Sequence, residues 1–323
     1  MVMMNAAVVT SFQEPPHYQA FETPRPAVET GEVLADVLAA GLHPRVRSGA
    51  AGSHYTSSGT LPMIPGIDGV GRLPDGRTVY FAAGDDVLGT MADKAVVDPR
   101  RSVELPDGTD VAKVAAAMNP AMSSWVALRR RVPLKPGQSV LVLGATGNAG
   151  AMAVQVAKRL GAGRVVGAGR DQGRLAVLIP AGADEVVQLT DDPDATASAL
   201  AAAAAEADIV IDYLWGKPAQ QAIMALLTAR GDRGRQLDWI QVGAVAGPTL
   251  DLPSVALRSA NFRLQGSGQG SVSPRGYLAE LPSLVQEITA GTITVRANLV
   301  PLSDVGDAWT RSEIPGERTV LVP

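Results

Sequence analysis

Val140-Leu141-Val142-Leu143-Gly144-Ala145-Thr146-Gly147-Asn148-Ala149-Gly150 is an apolar run that breaks into glycines spaced G-x-x-G-x-x-G and leads straight into an amphipathic segment, 151–160. Each glycine has its own task. Gly144 permits the tight turn out of a strand, Gly147 lets the backbone approach a pyrophosphate, and Gly150 lets a new helix pack closely on the sheet with its amides facing the anion. A glycine cluster alone is weak evidence, but here the context agrees. A buried strand precedes it, a helix with Met152, Val156 and Leu160 on one face follows, and a second strand arrives at the βαβ distance. The stretch therefore implies a dinucleotide site built on Gly144, Ala145, Thr146, Gly147, Asn148, Ala149 and Gly150, the alternative being a glycine-rich turn in an α/β core.

Outward from this turn, strand and helix alternate. Strands are expected over 139–143, 164–168, 184–189, 208–214, 239–244 and 262–266, which is the pattern of a doubly wound parallel sheet with order 3-2-1-4-5-6. In the helix after the fourth strand, Lys217-Pro218 puts proline at a first helical position. Ile223, Leu226 and Leu227 form its apolar stripe, and Gly231 stands where a C-terminal glycine belongs. The alanine-rich stretch 195–207 reads as a surface helix. Before about residue 103 the chain instead shows short strands, at 6–10, 32–40, 69–73, 78–82 and 95–97, broken by Gly, Pro and Asp. After residue 276 one helix, 277–290, and strands at 292–300 and 318–322 are expected to return to this β unit. The domains are accordingly 1–118 with 276–323, and 119–275.

The 323 residues include 28 basic and 32 acidic side chains, a net charge of −4 scattered along the chain, so no field suited to nucleic acid exists. There is no cysteine, which removes disulfides and thiolate metal sites. The first twelve residues lack the basic region of a signal segment, and no apolar run approaches the roughly 18–20 residues that span a bilayer, so a cytoplasmic location without membrane contact is expected.

Cofactor choice is read at the end of the second strand, where the sequence is Gly167-Ala168-Gly169-Arg170-Asp171-Gln172-Gly173-Arg174. Arg170 and Arg174 lie one helical turn apart and can converge on a 2′-phosphate, which favours NADPH. Asp171 is the competing reading, as an acid for the ribose hydroxyls, and all three could be solvated charges at a helix start. Ligands bind outside the carboxyl ends of such strands, so Val242, Gly243 and Ala244 at the end of the fifth strand and Gly268 at the end of the sixth should line a nicotinamide pocket. The glycine run at 266–270 could equally be a hinge.

Three further stretches carry a family resemblance: Ala39-Ala40-Gly41-Leu42-His43-Pro44-Arg45-Val46-Arg47-Ser48-Gly49, Leu61-Pro62-Met63-Ile64-Pro65-Gly66-Ile67-Asp68-Gly69-Val70-Gly71, and 115–128 with Ser123-Ser124-Trp125. Together with the glycine turn they resemble the medium-chain dehydrogenase/reductase superfamily, in its zinc-independent quinone oxidoreductase-like branch, over nearly the whole chain. The resemblance implies a Rossmann domain joined to a GroES-like all-β catalytic domain, and NADPH-dependent reduction of a quinone, enone or related conjugated carbonyl. It implies Tyr55 as a proton donor. It also implies His43 as a hydrogen-bonding partner of a substrate oxygen or the nicotinamide ribose, Asn119, Ser123 and Ser124 at the domain crossover, and Arg318 near the cofactor. For Tyr55, His43 and Arg318 the alternatives are a loop aromatic, a partly buried histidine and a solvated arginine; for Asn119 and the serines, helix capping.

The departures from the family concern His43, where the quinone-reductase branch usually has Asn, and Val46, where it has Asp. The zinc-holding alcohol dehydrogenases of the superfamily carry cysteines and a Gly-His-Glu segment, whereas this chain has no cysteine and reads Gly66-Ile67-Asp68, so no metal is expected. His17, His43, His54 and Asp68 show no metal-ligand spacing, and no Gly-x-Ser-x-Gly elbow is present. An NADPH-binding redox sensor without turnover and a zinc-free alcohol or imine dehydrogenase are the competing functions. Finally, the sixth strand, 261–266, should be terminal in the sheet and contains no proline or lysine to block pairing, so a homodimer through this edge is expected.

Overall fold

The computed structural model describes residues 2–312, 314 and 316–323. Its strands are β1 (Met3–Val8), β2 (His17–Glu22), β3 (Val33–Gly41), β4 (Asp68–Arg72), β5 (Thr78–Ala82), β6 (Lys94–Val97), β7 (Ser102–Glu104), β8 (Ser139–Leu143), β9 (Arg164–Gly169), β10 (Glu185–Gln188), β11 (Ile209–Asp212), β12 (Leu237–Gln241), β13 (Phe262–Gly266), β14 (Arg296–Pro301) and β15 (Glu317–Val322). The chain divides into two compact units, Met1–Asn119 with Leu281–Pro323, and Pro120–Glu280.

In the second unit six strands form one sheet in the order β10-β9-β8-β11-β12-β13, the 3-2-1-4-5-6 order expected, with every pairing parallel. Helices lie between successive strands because residues such as Leu141, Leu143, Val210 and Trp239 need covering, and the Ile223, Leu226 and Leu227 stripe of the helix Gly216–Ala229 packs in the same core. Burying each such side chain is worth about 1.5–3 kcal/mol. Trp239 meets Phe262 edge-on at 6.4 Å, tying β13 to its neighbour β12. The helix Pro193–Ala204 forms in the alanine-rich stretch, started by Asp192, which accepts from the amides of Asp194 and Ala195.

Two local expectations in this unit need correcting. Pro218 is the third residue of the helix Gly216–Ala229, not its first, because the chain turns at Trp215 and enters the helix earlier. Gly231 does not take a left-handed cap conformation; the helix ends at Arg230, and the Gly231 amide donates to Glu206 Oε1 at 2.7 Å instead.

The first unit holds a seven-stranded sheet, β14-β15-β3-β4-β5-β7 with β6 also on β3, and a two-stranded pair, β1 with β2. The C-terminal tail does return here: β15 lies antiparallel to β3 and parallel to β14. Two strands escape a sequence reading. All residues of β2 but one are exposed, so it has no buried face to impose a period, and β7 spans only three residues. The single helix expected over 277–290 is instead two, Pro274–Leu278 and Leu281–Thr289, because Pro282 has no N–H to donate to the Leu278 carbonyl and its ring crowds that carbonyl.

Candidate active site

At the end of β8, Gly144 adopts φ +83, and a Cβ there would lie 3.0 Å from Leu214 Cδ2 and 3.3 Å from Tyr213 Cβ. Gly150 is more severely constrained, since its Cβ would fall 2.2 Å from the Gly144 carbonyl oxygen, backbone against backbone. Gly147 differs. Its Cβ would make only an ordinary contact, 3.5 Å from the same oxygen, so the protein's own packing does not require glycine there, and the open side suits a close-lying ligand. Gly147 caps the helix Asn148–Arg159, whose first turn has N–H groups without intrahelical partners, a cradle suited to a pyrophosphate.

The end of β9 meets this turn. A side chain at Gly169 would come within 2.5 Å of Thr146 Cγ2, and Arg174 donates from Nη1 to the Thr146 carbonyl at 3.2 Å. Asp171 caps the short helix Gln172–Ala176 by accepting from the Arg174 amide at 2.9 Å. That use of Asp171 in a cap weighs against its reading as the ribose acid. Arg170 is exposed, and Arg174 is half-buried beside Thr146 of the glycine turn.

At the carboxyl ends of β11 and β12 the backbone is closely fitted. The amides of Val242 and Gly243 both donate to the Asp212 carbonyl, and a side chain at Gly243 would meet the Tyr213 carbonyl oxygen at 2.8 Å. Asp212 is fully buried. Burial pushes its carboxyl up, opposed by hydrogen bonds from the Trp215 and Leu214 amides and from Trp239 Nε1. These bonds hold Trp215 at φ +55, a conformation that costs a non-glycine residue about 1–3 kcal/mol. A groove of about 340 Å³ opens at these strand ends, lined by Trp215, Gln241, Ala244, Pro248, Leu264 and Gly266 among others. The Gly268 amide donates to Ser271 Oγ at 2.8 Å, fixing the glycine run as a turn.

Ser123 and Ser124 do not cap a helix; they lie inside Val111–Val126 and return their hydroxyls to the carbonyls of Pro120 and Ala121. Ser123 Oγ is also 2.8 Å from the hydroxyl of Tyr213. Either hydroxyl can be the donor in that pair. Burial pushes the Tyr213 phenol up to about 12, so it keeps its proton at neutral pH. Sequence reading missed Tyr213 by placing it within a strand, although its place after Asp212, at the carboxyl end of the fourth strand, was a usable signal.

In the first unit, His43 follows β3 and precedes the helix Pro44–Ala50 in an extended conformation. Its Nε2 lies 3.3 Å from Asp68 Oδ1, and the Tyr80 hydroxyl donates to Asp68 Oδ2 at 2.7 Å. Thr90 Oγ1 donates to the Asp68 carbonyl at 2.7 Å, a contact that needs glycine at position 66, where a Cβ would be 2.4 Å from that hydroxyl. All four residues are buried, His43 to 2% exposure. Burial lowers the His43 pKa from its ordinary value, Asp68 opposing and Arg318 and Arg45 reinforcing the shift. Arg318 is itself 2% exposed and donates to the Leu42 carbonyl at 3.1 Å, which excludes a solvated arginine. Tyr55, in contrast, stands on a loop at 70% exposure with its ring 4.2 Å from that of His54, and Asn119 is half-buried.

Among the described residues no group of three or more His, Asp or Glu side chains is gathered to hold a metal ion, and no helix is long and apolar enough to cross a membrane. Residues 149–287 match a family described as zinc-binding dehydrogenase. Across 99% of this chain and 100% of the relative, the sequence is 31% identical to a probable NADPH-dependent quinone reductase, tdiC, of Emericella nidulans. A 2-methylene-furan-3-one reductase of Solanum lycopersicum is 28% identical over 52% of this chain and 47% of its own length. The quinone oxidoreductase of Thermus thermophilus, whose solved structures include a complex with NADPH, superimposes with a TM-score of 0.81 at 24% identity, over 99% of this chain and 100% of that one.

Proposed function

The chain belongs to the medium-chain dehydrogenase/reductase superfamily, in its quinone oxidoreductase-like branch, and from that premise we propose that it reduces a quinone, enone or related conjugated carbonyl with NADPH, without zinc, as a cytoplasmic homodimer. The observation that carries the reading is the turn Gly144–Gly150, in which Gly150 is fixed by packing while Gly147 is left open toward a ligand. End-to-end likeness to a quinone reductase supports the substrate class.

NADPH, when bound, supplies the hydride. The protein supplies the rest. Gly147 and the first turn of the following helix bind the pyrophosphate, and Arg170 with Arg174 read the 2′-phosphate. Ser123, Val242, Gly243, Ala244 and Gly268 orient the nicotinamide end. Tyr55, exposed to water, is assigned the balancing proton, and His43 a hydrogen bond to the ligand; Asn119 is assigned to the substrate with them, and Arg318 to the cofactor. Zinc does not suit the donor set: the chain has no cysteine, and both Asp68 oxygens already face Tyr80 and His43. The place of β13 as the terminal strand of its sheet supports the dimer.

The test is product analysis with cyclohex-2-enone and NADPH. The saturated ketone is expected. The allylic alcohol as main product would assign the chain to alcohol dehydrogenase chemistry instead.

A further inference from the structure

Sheet register brings Asp68 and Tyr80 together. Asp68 pairs with Ala82 and Tyr80 with Val70 between β4 and β5, so the two side chains share one face as diagonal neighbours. Tyr80 then donates to one carboxylate oxygen, and the other faces His43 Nε2 at 3.3 Å. A carboxylate is an acceptor only, so the hydrogen of that second contact must sit on Nε2. Burial keeps His43 below its ordinary pKa and leaves it neutral, with one N–H, while burial and the neighbouring Asp68 push the Tyr80 phenol well above its own. Nδ1 is therefore a lone pair, and it is buried with no hydrogen-bond partner among the described residues. Each unmatched buried group calls for an explanation, because the fold could have omitted it.

We propose that Asp68 and Tyr80 are positioning residues that hold His43 as its Nε2–H tautomer, so that Nδ1 accepts a hydrogen bond from a hydroxyl of the small-molecule ligand. The identity of that ligand rests on the quinone-reductase reading; the tautomer rests on the geometry. A quinone carbonyl offers only lone pairs and gains nothing from Nδ1. A hydroquinone or hydroxyquinone offers an O–H, and a site built to pair with a hydroxyl discriminates strongly against analogues that lack it.

The experiment is nitrogen NMR on the full-length protein labelled with ¹⁵N, at a pH above 7. The chain has three histidines, so His17→Gln and His54→Gln assign the spectrum. Wild type is expected to show Nε2 protonated and Nδ1 unprotonated. In Asp68→Asn, whose amide can donate to Nε2, the tautomer should reverse and hydroquinone should bind about tenfold more weakly. Tyr80→Phe, the milder change, should give a mixture of tautomers. Hydroquinone added to wild type should shift Nδ1, and 1,4-dimethoxybenzene or NADP⁺ alone should not. A protonated Nδ1 in wild type, an unchanged tautomer in both variants, or equal shifts from the dimethyl ether or NADP⁺ would overturn the proposal. The nitrogen shifts are read without turnover, so a protein that reduces no quinone yet shows the Nε2–H tautomer contradicts the functional reading and not this one.

Discussion

At Gly144–Gly150 the second unit makes its glycine turn from seven consecutive residues, mostly by omitting side chains, whereas around His43 the first unit assembles four buried polar side chains from positions 43, 68, 80 and 90. The first construction depends on steric room for a backbone, the second on which groups donate and which accept. The first is therefore broken by adding an atom, the second by removing a hydrogen-bonding group.

Gly150→Ala should have the largest effect, since the new Cβ would lie 2.2 Å from the Gly144 oxygen and neither backbone can yield cheaply. Destabilisation of about 3 kcal/mol, the upper end for overpacking, is expected in denaturant unfolding, with loss of NADPH binding. Gly147→Ala is the matched control. With 3.5 Å to its nearest neighbour it should fold normally and still weaken NADPH. Equal stability losses at the two positions would break the distinction between packing glycine and ligand glycine.

Next in size, Arg170→Ala and Arg174→Ala should each weaken NADPH by about 1.5–3 kcal/mol while changing NADH little, because the lost contacts are charge-assisted and specific to the 2′-phosphate. Initial-rate kinetics with both cofactors would read the difference. Similar losses for NADPH and NADH would return the arginines to the role of solvated charges.

How much of this was legible follows from the same contrast. The sheet order and the glycine turn could be read because each depends on neighbours in sequence: apolar strands, glycines at fixed spacing, a helix that follows. Asp68 could be noticed only as a departure from a family segment. Its pairing with Tyr80 depends on the β4–β5 register, and its meeting with His43 on where β3 ends, neither of which is written in a local stretch. Tyr213 was hidden by a similar cause, being the first residue beyond β11, a strand that stops two residues short of the expected 214.

The smallest effect on the fold should come from the sheet edge. Leu264→Pro in β13 is expected to convert a dimer to a folded monomer, read by light scattering, because β13 is terminal and proline blocks pairing across it. A wild-type monomer at micromolar concentration would remove the edge from the functional picture.

The most direct measurement is NADPH oxidation by the exhaustively chelated wild-type protein across a panel of quinones and enones. Steady consumption of NADPH, unchanged by chelator and faster than with NADH, is the expected result. NADPH binding without oxidation by any acceptor, or activity lost to chelator and restored by zinc, would contradict it.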